Sequence, residues 1–212
     1  MQDNIDLARI RDYFSGRFKE YGATPMGLDW NSSEAQNVRF DQLSKVILPS
    51  ERFSLIDYGC GYGAFYDFLK QQRHTFEYTG YEIVEEMIAK ARDLHNSQKD
   101  CTFTIRETDL QLADYVVESG VFNIKLSADH EAWTRHVIFT LEKMNALSKK
   151  GMAFNLLTKY SDPEFKRPDL YYADPCFYFD YCKRHFSSNV ALLHDYEIYD
   201  FTIIVRKSEP NE

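Results

Sequence analysis

Cysteine is sparse and follows no pairing pattern. Cys60, Cys101, Cys176 and Cys182 form no CxxC motif, which argues against a disulfide scaffold and reads as reduced thiols in a cytoplasmic protein. Cys176, Cys182 and His185 could be imagined around zinc, but a single helix already explains their spacing, and no metal is expected. Basic residues are also short: 25 Lys and Arg against 33 Asp and Glu give a net charge of −8, with no positive stripe. Nucleic-acid binding is therefore not expected, since it is mostly phosphate neutralisation. Nowhere do about 18 apolar residues run together, and the opening MQDNIDLARI has no basic region leading into an apolar one. Neither a membrane span nor an export signal is read. Internal repeats, low-complexity segments and linkers are missing too.

What is present is alternation. The chain has 212 residues, 44% of them apolar, enough for one substantial core. An apolar stripe (Ile5, Leu7, Ile10, Tyr13, Phe14, Phe18) predicts a helix over 3–20, broken by YGATPMGLDWNSS. Ser33 and Gln36 suit a capping box for a second helix, running to about Leu48. From there strands and helices take turns: strands at 53–58, 76–82, 101–106, 113–119 and 151–158, and helices at 63–73, 84–95 and 130–148. This rhythm predicts a doubly wound α/β fold, a mostly parallel sheet wrapped by helices. After a helix at 175–185, NVALLHDY and YDFTIIVRK lie too close for a parallel crossover, so the last strand should run antiparallel. The expected organisation is an N-terminal pair of helices with a lid over 1–49, and a sheet domain over 50–212 with an insertion at about 158–186, all one compact unit.

Glycine concentrates where the first strand ends. LIDYGCGYGAF places Gly59, Gly61 and Gly63 within five positions, between a strand and a helix. Such a turn is where doubly wound sheets bind nucleotides, because glycine brings backbone close to a ligand and takes positive φ at low cost. Gly59, Gly61 and Ala64, with Glu82 at the end of the second strand, satisfy the dinucleotide expression as well. Asp57 separates the candidates. A carboxylate beside a pyrophosphate would be repulsive, whereas it suits the ammonium and sulfonium of S-adenosylmethionine. The plainer alternative is that Asp57 caps the following turn or helix.

These residues, with YTGYEIVEEMIAKAR after them, resemble the first two signature motifs of the class I S-adenosylmethionine-dependent methyltransferases. The likeness continues more loosely through IRETDL, DYVVESGVFN and HDYEIYDFTIIVRK, covering about residues 50–206. It implies a seven-stranded sheet with the last strand antiparallel. It also implies a cofactor set of Asp57, Gly59, Cys60, Gly61, Glu82, Ile83, Asp109, Leu110 and Ser119. In that set Asp57, Gly59 and Gly61 line the methionine moiety, Glu82 takes the ribose hydroxyls, and Ile83 covers the adenine. Asp109 takes the adenine amino group, and Ser119 closes the pocket under the methyl.

The methyl would leave toward the carboxyl ends of the fourth and fifth strands. Three segments can wall an acceptor there: YGATPMGLDWN with Trp30, SGVFN with Phe122 and Asn123, and KYSDPEFKRPDLYYADP with Tyr160, Arg167, Tyr171 and Tyr172. The NPPY or DPPY pattern of enzymes methylating planar nitrogen is not matched. Tyr171, Tyr172 and His194 are candidate catalytic groups, although aromatic residues at helical spacing are more often core. Lys166 and Arg167 could hold an acidic group, or could simply be solvated. The expected activity is methyl transfer to a small soluble acceptor, releasing S-adenosylhomocysteine. The alternatives are a non-catalytic protein that binds the same cofactor and a nicotinamide-dependent oxidoreductase.

Overall fold

The computed structural model describes residues 5–49 and 52–208. Seven strands, β1 (Phe53–Tyr58), β2 (Phe76–Tyr81), β3 (Cys101–Thr104), β4 (Ala113–Glu118), β5 (Ser148–Leu157), β6 (Asn189–Leu193) and β7 (Asp200–Arg206), form one sheet in the order β3-β2-β1-β4-β5-β7-β6. β7 is antiparallel to both β5 and β6, and the other pairs are parallel. The antiparallel last strand is as expected. It inserts between β5 and β6 because the short link after Leu193 can only turn back.

Among the described residues six α-helices cover the sheet: α1 (Leu7–Tyr21), α2 (Ser33–Ser44), α3 (Ala64–Gln71), α4 (Glu85–Leu94), α5 (His130–Leu147) and α6 (Pro175–His185). Alternation along β1 sends Phe53 and Leu55 toward the layer holding Phe40 of α2, Phe65 of α3 and Ile88 of α4. Ile56 and Tyr58 point the opposite way, toward Trp133, Val137 and Leu141 of α5 and Tyr178 of α6. The central strands are thus covered on both faces, which explains their continuous apolar runs.

Boundaries shift where side chains or backbone close a helix. Asp6 caps α1 by accepting from the Arg9 N–H at 3.2 Å, so the helix starts at Leu7 rather than at position 3; residues 3 and 4 lie outside the described residues. The cap of α2 is Ser32, one residue before the expected Ser33, and its hydroxyl accepts from Ala35 N–H at 3.1 Å. α2 ends at Ser44, not Leu48, because Lys45, Val46 and Ile47 bond three residues back and tighten the chain out of the helix. β5 starts at Ser148, which is also the C-cap of α5. No glycine marks that junction, and the sequence pattern started the strand at Gly151. The stretch expected as an insertion is a loop with a short 3-10 turn at Pro163–Phe165, followed by α6, which packs on β6 and β7.

Candidate functional site

The parallel strands end along one edge, and the start of β7 returns to it, where Asp200 pairs with Leu157. Three positive-φ glycines shape the turn leaving β1: Gly59 at 87°, Gly61 at 55° and Gly63 at 89°. The first two are also crowded. A Cβ on Gly59 would lie 2.0 Å from Val121 Cγ2, and one on Gly61 would lie 2.7 Å from Leu28 Cδ2. The turn is pinned by the Gly59 and Cys60 N–H groups, which donate to Tyr81 O at 2.7 and 3.0 Å. Glu82 ties it to the end of β2, accepting from Gly61 N–H at 3.2 Å, Ile83 N–H at 2.8 Å and Val84 N–H at 3.1 Å. Burial raises the Glu82 carboxyl above its ordinary range, and these donors oppose the rise.

Asp57 sits beneath the turn. It is buried on the α2–α4 side of β1, and its Oδ2 accepts from the Tyr78 hydroxyl at 2.5 Å. Burial pushes its carboxyl up to about 7, the Tyr78 bond pulls the other way, and the charge of Glu82 adds to the rise. Another buried acid, Glu118 at the end of β4, was passed over in the sequence. Its Oε1 accepts from Val121 N–H at 2.5 Å, while Oε2 has no partner among the described residues. Burial raises this carboxyl well above the usual range. Its position just before Ser119 was the signal available, since a carboxylate in the last position of a buried strand must turn to backbone donors.

Two cavities open above this edge. The first, about 110 Å³, lies on Gly59, Glu82, Ile83 and Ser119, with α1 as its roof through Ile10 and Phe14. The second, about 760 Å³, is bordered by Asn123, Arg167, Tyr172 and Tyr196. Leu28, Trp30 and Gly120 line both. Trp30 can lie against Gly120 only because no side chain is there; a Cβ would be 2.3 Å from the indole. Its indole also carries the Arg39 guanidinium 4.1 Å from the ring centroid. Arg39 in turn is bound by the fully buried Asp200, at 3.1 Å through Nε and 2.5 Å through Nη2. Asp29 fastens the roof, pairing with Arg17 at 3.0 Å and Arg167 at 3.3 Å and accepting from Tyr13 OH at 3.1 Å.

Of the expected cofactor set, Gly59, Glu82, Ile83 and Ser119 border the first cavity, whereas Asp57, Cys60, Gly61, Asp109 and Leu110 do not. Cys60 and Leu110 are buried in the two core layers, and burial raises the Cys60 thiol. Asp109 stays at the surface, accepting from Thr104 Oγ1 at 2.8 Å and Arg106 Nε at 3.0 Å. The acid of ETDL that turns inward is Glu107, which takes the Tyr58 hydroxyl and Lys143 Nζ. Of the expected acceptor wall, Trp30, Asn123 and Arg167 border the second cavity. Phe122 does not; it is fully buried, and its carbonyl accepts from Trp133 Nε1 at 2.8 Å. Tyr171 is core as well, its hydroxyl bonded to Thr134 at 2.7 Å and Tyr178 at 2.8 Å. Tyr160 is exposed beside His194, ring centroids 6.1 Å apart, and neither borders either of these two cavities. Tyr172 alone among the candidate catalytic groups reaches the wall of the second cavity. His136, which no motif flagged, borders the first; burial and Lys143 lower its pKa.

Among the described residues, no group of three or more His, Cys, Asp or Glu gathers as a metal site. No described helix is long and apolar enough to cross a membrane.

Residues 56–151 match a family model described as a methyltransferase domain. Over 164 residues, 77% of this chain and 99% of the relative, the sequence is 43% identical to Rv1506c of Mycobacterium tuberculosis, a protein whose name is that of a methyltransferase. Magnesium protoporphyrin IX methyltransferase from Synechocystis PCC 6803, solved with bound S-adenosylmethionine, superposes with a TM-score of 0.66 at 16% identity, covering 94% of this chain and 96% of that one. The small RNA methyltransferase HEN1 superposes at 0.58 with 15% identity, over 85% of this chain and 26% of its own. At these identities the two structures share the fold, and their acceptors differ widely.

Proposed function

The chain belongs to the class I S-adenosylmethionine-dependent methyltransferases, and from that premise we propose that it methylates a small soluble acceptor held in the second cavity, in the cytoplasm. The observation that carries this reading is the shared wall: Leu28, Trp30 and Gly120 border both cavities, so a methyl donor in one and an acceptor in the other would be separated only by that wall. The cofactor supplies an electrophilic methyl and leaves as S-adenosylhomocysteine. Gly59, which borders the first cavity, lets the backbone approach it, while Val121 and Leu28 occupy the space where side chains at Gly59 and Gly61 would sit.

Glu82 is the ribose anchor in this reading. A carboxylate has about four acceptor sites, and three are taken by backbone N–H groups, which leaves one for a hydroxyl and fixes the side chain in advance. Ile83 offers the adenine an apolar wall. Asp57 acts from below the turn as a partly protonated group joined to Tyr78, not as a wall of the cavity. Leu28 lies over the turn and Trp30 over Gly120, and a cavity of about 110 Å³ is smaller than the roughly 300–1,000 Å³ of ligand pockets. In this reading the roof has to give way for the cofactor to enter. Alignment of donor and acceptor supplies much of the acceleration, and no dedicated base is assigned.

A small acceptor is favoured over RNA by the acidic balance of the chain, and the similarity to a porphyrin methyltransferase of the same fold supports that reading. Family membership sets the nicotinamide alternative aside. The test is incubation with methyl-labelled S-adenosylmethionine and fractionated metabolite pools, reading S-adenosylhomocysteine release and label transfer. Label in a small-molecule fraction is expected. Intact cofactor with every pool would favour the non-catalytic alternative.

A further inference from the structure

Residues 119–121 form part of the wall between the two cavities: Ser119, Gly120 and Val121 border the first, and Gly120 borders the second as well. Both sides of this segment are in close contact. Val121 Cγ2 fills the place where a side chain on Gly59 would begin, 2.0 Å from that Cβ position, and the Trp30 indole fills the place over Gly120, at 2.3 Å. A displacement of the segment therefore reaches the glycine turn and the roof together. Its shape is set at two points. Gly120 has φ 89°, which glycine takes at low cost, and the chain folds back so that the Val121 N–H donates to Glu118 Oε1 at 2.5 Å. Among the described residues no backbone carbonyl accepts from that N–H, so the Glu118 side chain is what holds it. The other ties, Asn155 Nδ2 to Ser119 Oγ at 3.3 Å and Asn123 N–H to Gly120 O at 3.2 Å, are longer.

An apolar residue would suit the strand at position 118. Glu118 stands in register with Tyr58 of β1 and Phe154 of β5, fully buried, and its Oε2 has no partner among the described residues. A buried carboxyl with an idle oxygen lowers stability where an apolar side chain would not. Burial raises this carboxyl well above its usual range, so a neutral amide of the same shape is its nearest stand-in. Against that cost stands one effect, the fixed segment above it. We propose that Glu118 is a positioning residue for methyl transfer: by holding the Val121 N–H it keeps residues 119–121 seated between Gly59 and Trp30, so that a cofactor on the glycine turn and an acceptor beyond Gly120 are aligned. The proposal rests on the two cavities being the cofactor and acceptor sites.

Calorimetry with S-adenosylhomocysteine and fluorine NMR of protein labelled with fluorotryptophan test it on wild type, Glu118→Gln and Glu118→Leu. The chain has two tryptophans, Trp30 and Trp133, and Trp30→Phe assigns the Trp30 signal. Glu118→Gln keeps an oxygen for the Val121 N–H, so it should bind within about twofold of wild type, with the Trp30 signal unmoved. Glu118→Leu leaves that N–H without an acceptor; binding should weaken about tenfold and the Trp30 signal should shift. A role confined to stability gives a different result: Glu118→Leu melts at a lower temperature while its folded form binds S-adenosylhomocysteine as wild type does, and that would overturn the proposal. So would Glu118→Gln weakening binding as much as Glu118→Leu. If Glu118→Leu does not fold, hydrogen exchange in the unliganded wild type decides. The Val121 amide should then exchange at least about tenfold more slowly than an unbonded amide, and exchange at the unprotected rate would overturn the proposal. Failure of S-adenosylhomocysteine to bind the folded wild type would instead remove the cofactor site on which it rests.

Discussion

Replacing Asp200 by Asn should loosen α2 from the sheet and disturb the wall between the two cavities. Asp200 is fully buried and bonds Arg39 through both carboxylate oxygens, and α2 buries Gln36, Arg39 and Gln42 alongside Phe40 and Leu43. Of these, Arg39 carries the charge, and Asp200 is the carboxylate that balances it. Removing one partner of a buried pair strands the other charge, at a cost of about 3–5 kcal/mol. For a chain of this size, at about 2–4 °C per kcal/mol, the melting temperature should fall by roughly 6–20 °C. Circular dichroism melts of wild type and Asp200→Asn measure this. The double replacement Arg39→Met with Asp200→Leu should recover most of the loss, because no charge is then left unpaired. Trp30 fluorescence, read in a Trp133→Phe background, should shift in Asp200→Asn because the guanidinium over the indole loses its anchor. Melting of Asp200→Asn within about 1 °C of wild type would refute the reasoning.

Asp57 should make stability fall as pH rises. Its carboxyl is near 3.8 in the unfolded chain and about 7 in the fold, so the native state holds the extra proton between those values. Stability fully present below about 3.8 is lost as pH climbs to about 7, by up to roughly 4 kcal/mol at about 1.4 kcal/mol per pH unit. Asp57→Asn removes that slope, so urea melts should show its advantage over wild type growing from pH 4 to pH 7; an offset independent of pH would count against the assignment. Tyr171→Phe should lower stability by about 1–3 kcal/mol through the lost bonds to Thr134 and Tyr178. S-adenosylhomocysteine affinity should be unchanged in it, and a large change in that affinity would return Tyr171 to the site.

Much of the fold was legible because the signals were local. Apolar runs of strand length alternating with helical stripes define the β1–α3–β2–α4 progression, and the few residues between Leu193 and Asp200 dictate the reversed strand. The glycine turn and Glu82 could be singled out from their spacing, and in the fold Gly61 N–H meets the Glu82 carboxylate. What sequence could not carry was side-chain direction. Tyr171 and Tyr172 are adjacent, yet one is core and the other borders a cavity. Asp57 and Tyr58 point to opposite faces of β1, which places the acid beneath the turn and the tyrosine on the wall of the first cavity. Arg39 and Asp200 are 161 positions apart, and no spacing rule links them. Asp109 and Glu107 both sit in ETDL, and only the packing of Tyr58 and Lys143 selects Glu107 to face inward.

The turn after β1 and the acid after β2 are proposed to hold an adenosine-bearing amino acid. Calorimetric titration of S-adenosylhomocysteine into wild type and Glu82→Ala, each shown by circular dichroism to be folded, tests that most directly. Micromolar binding by wild type and at least about tenfold weaker binding by the variant are predicted, as expected for loss of a charged hydrogen-bond acceptor. No binding by the folded wild type, or equal affinity in the two proteins, would contradict it.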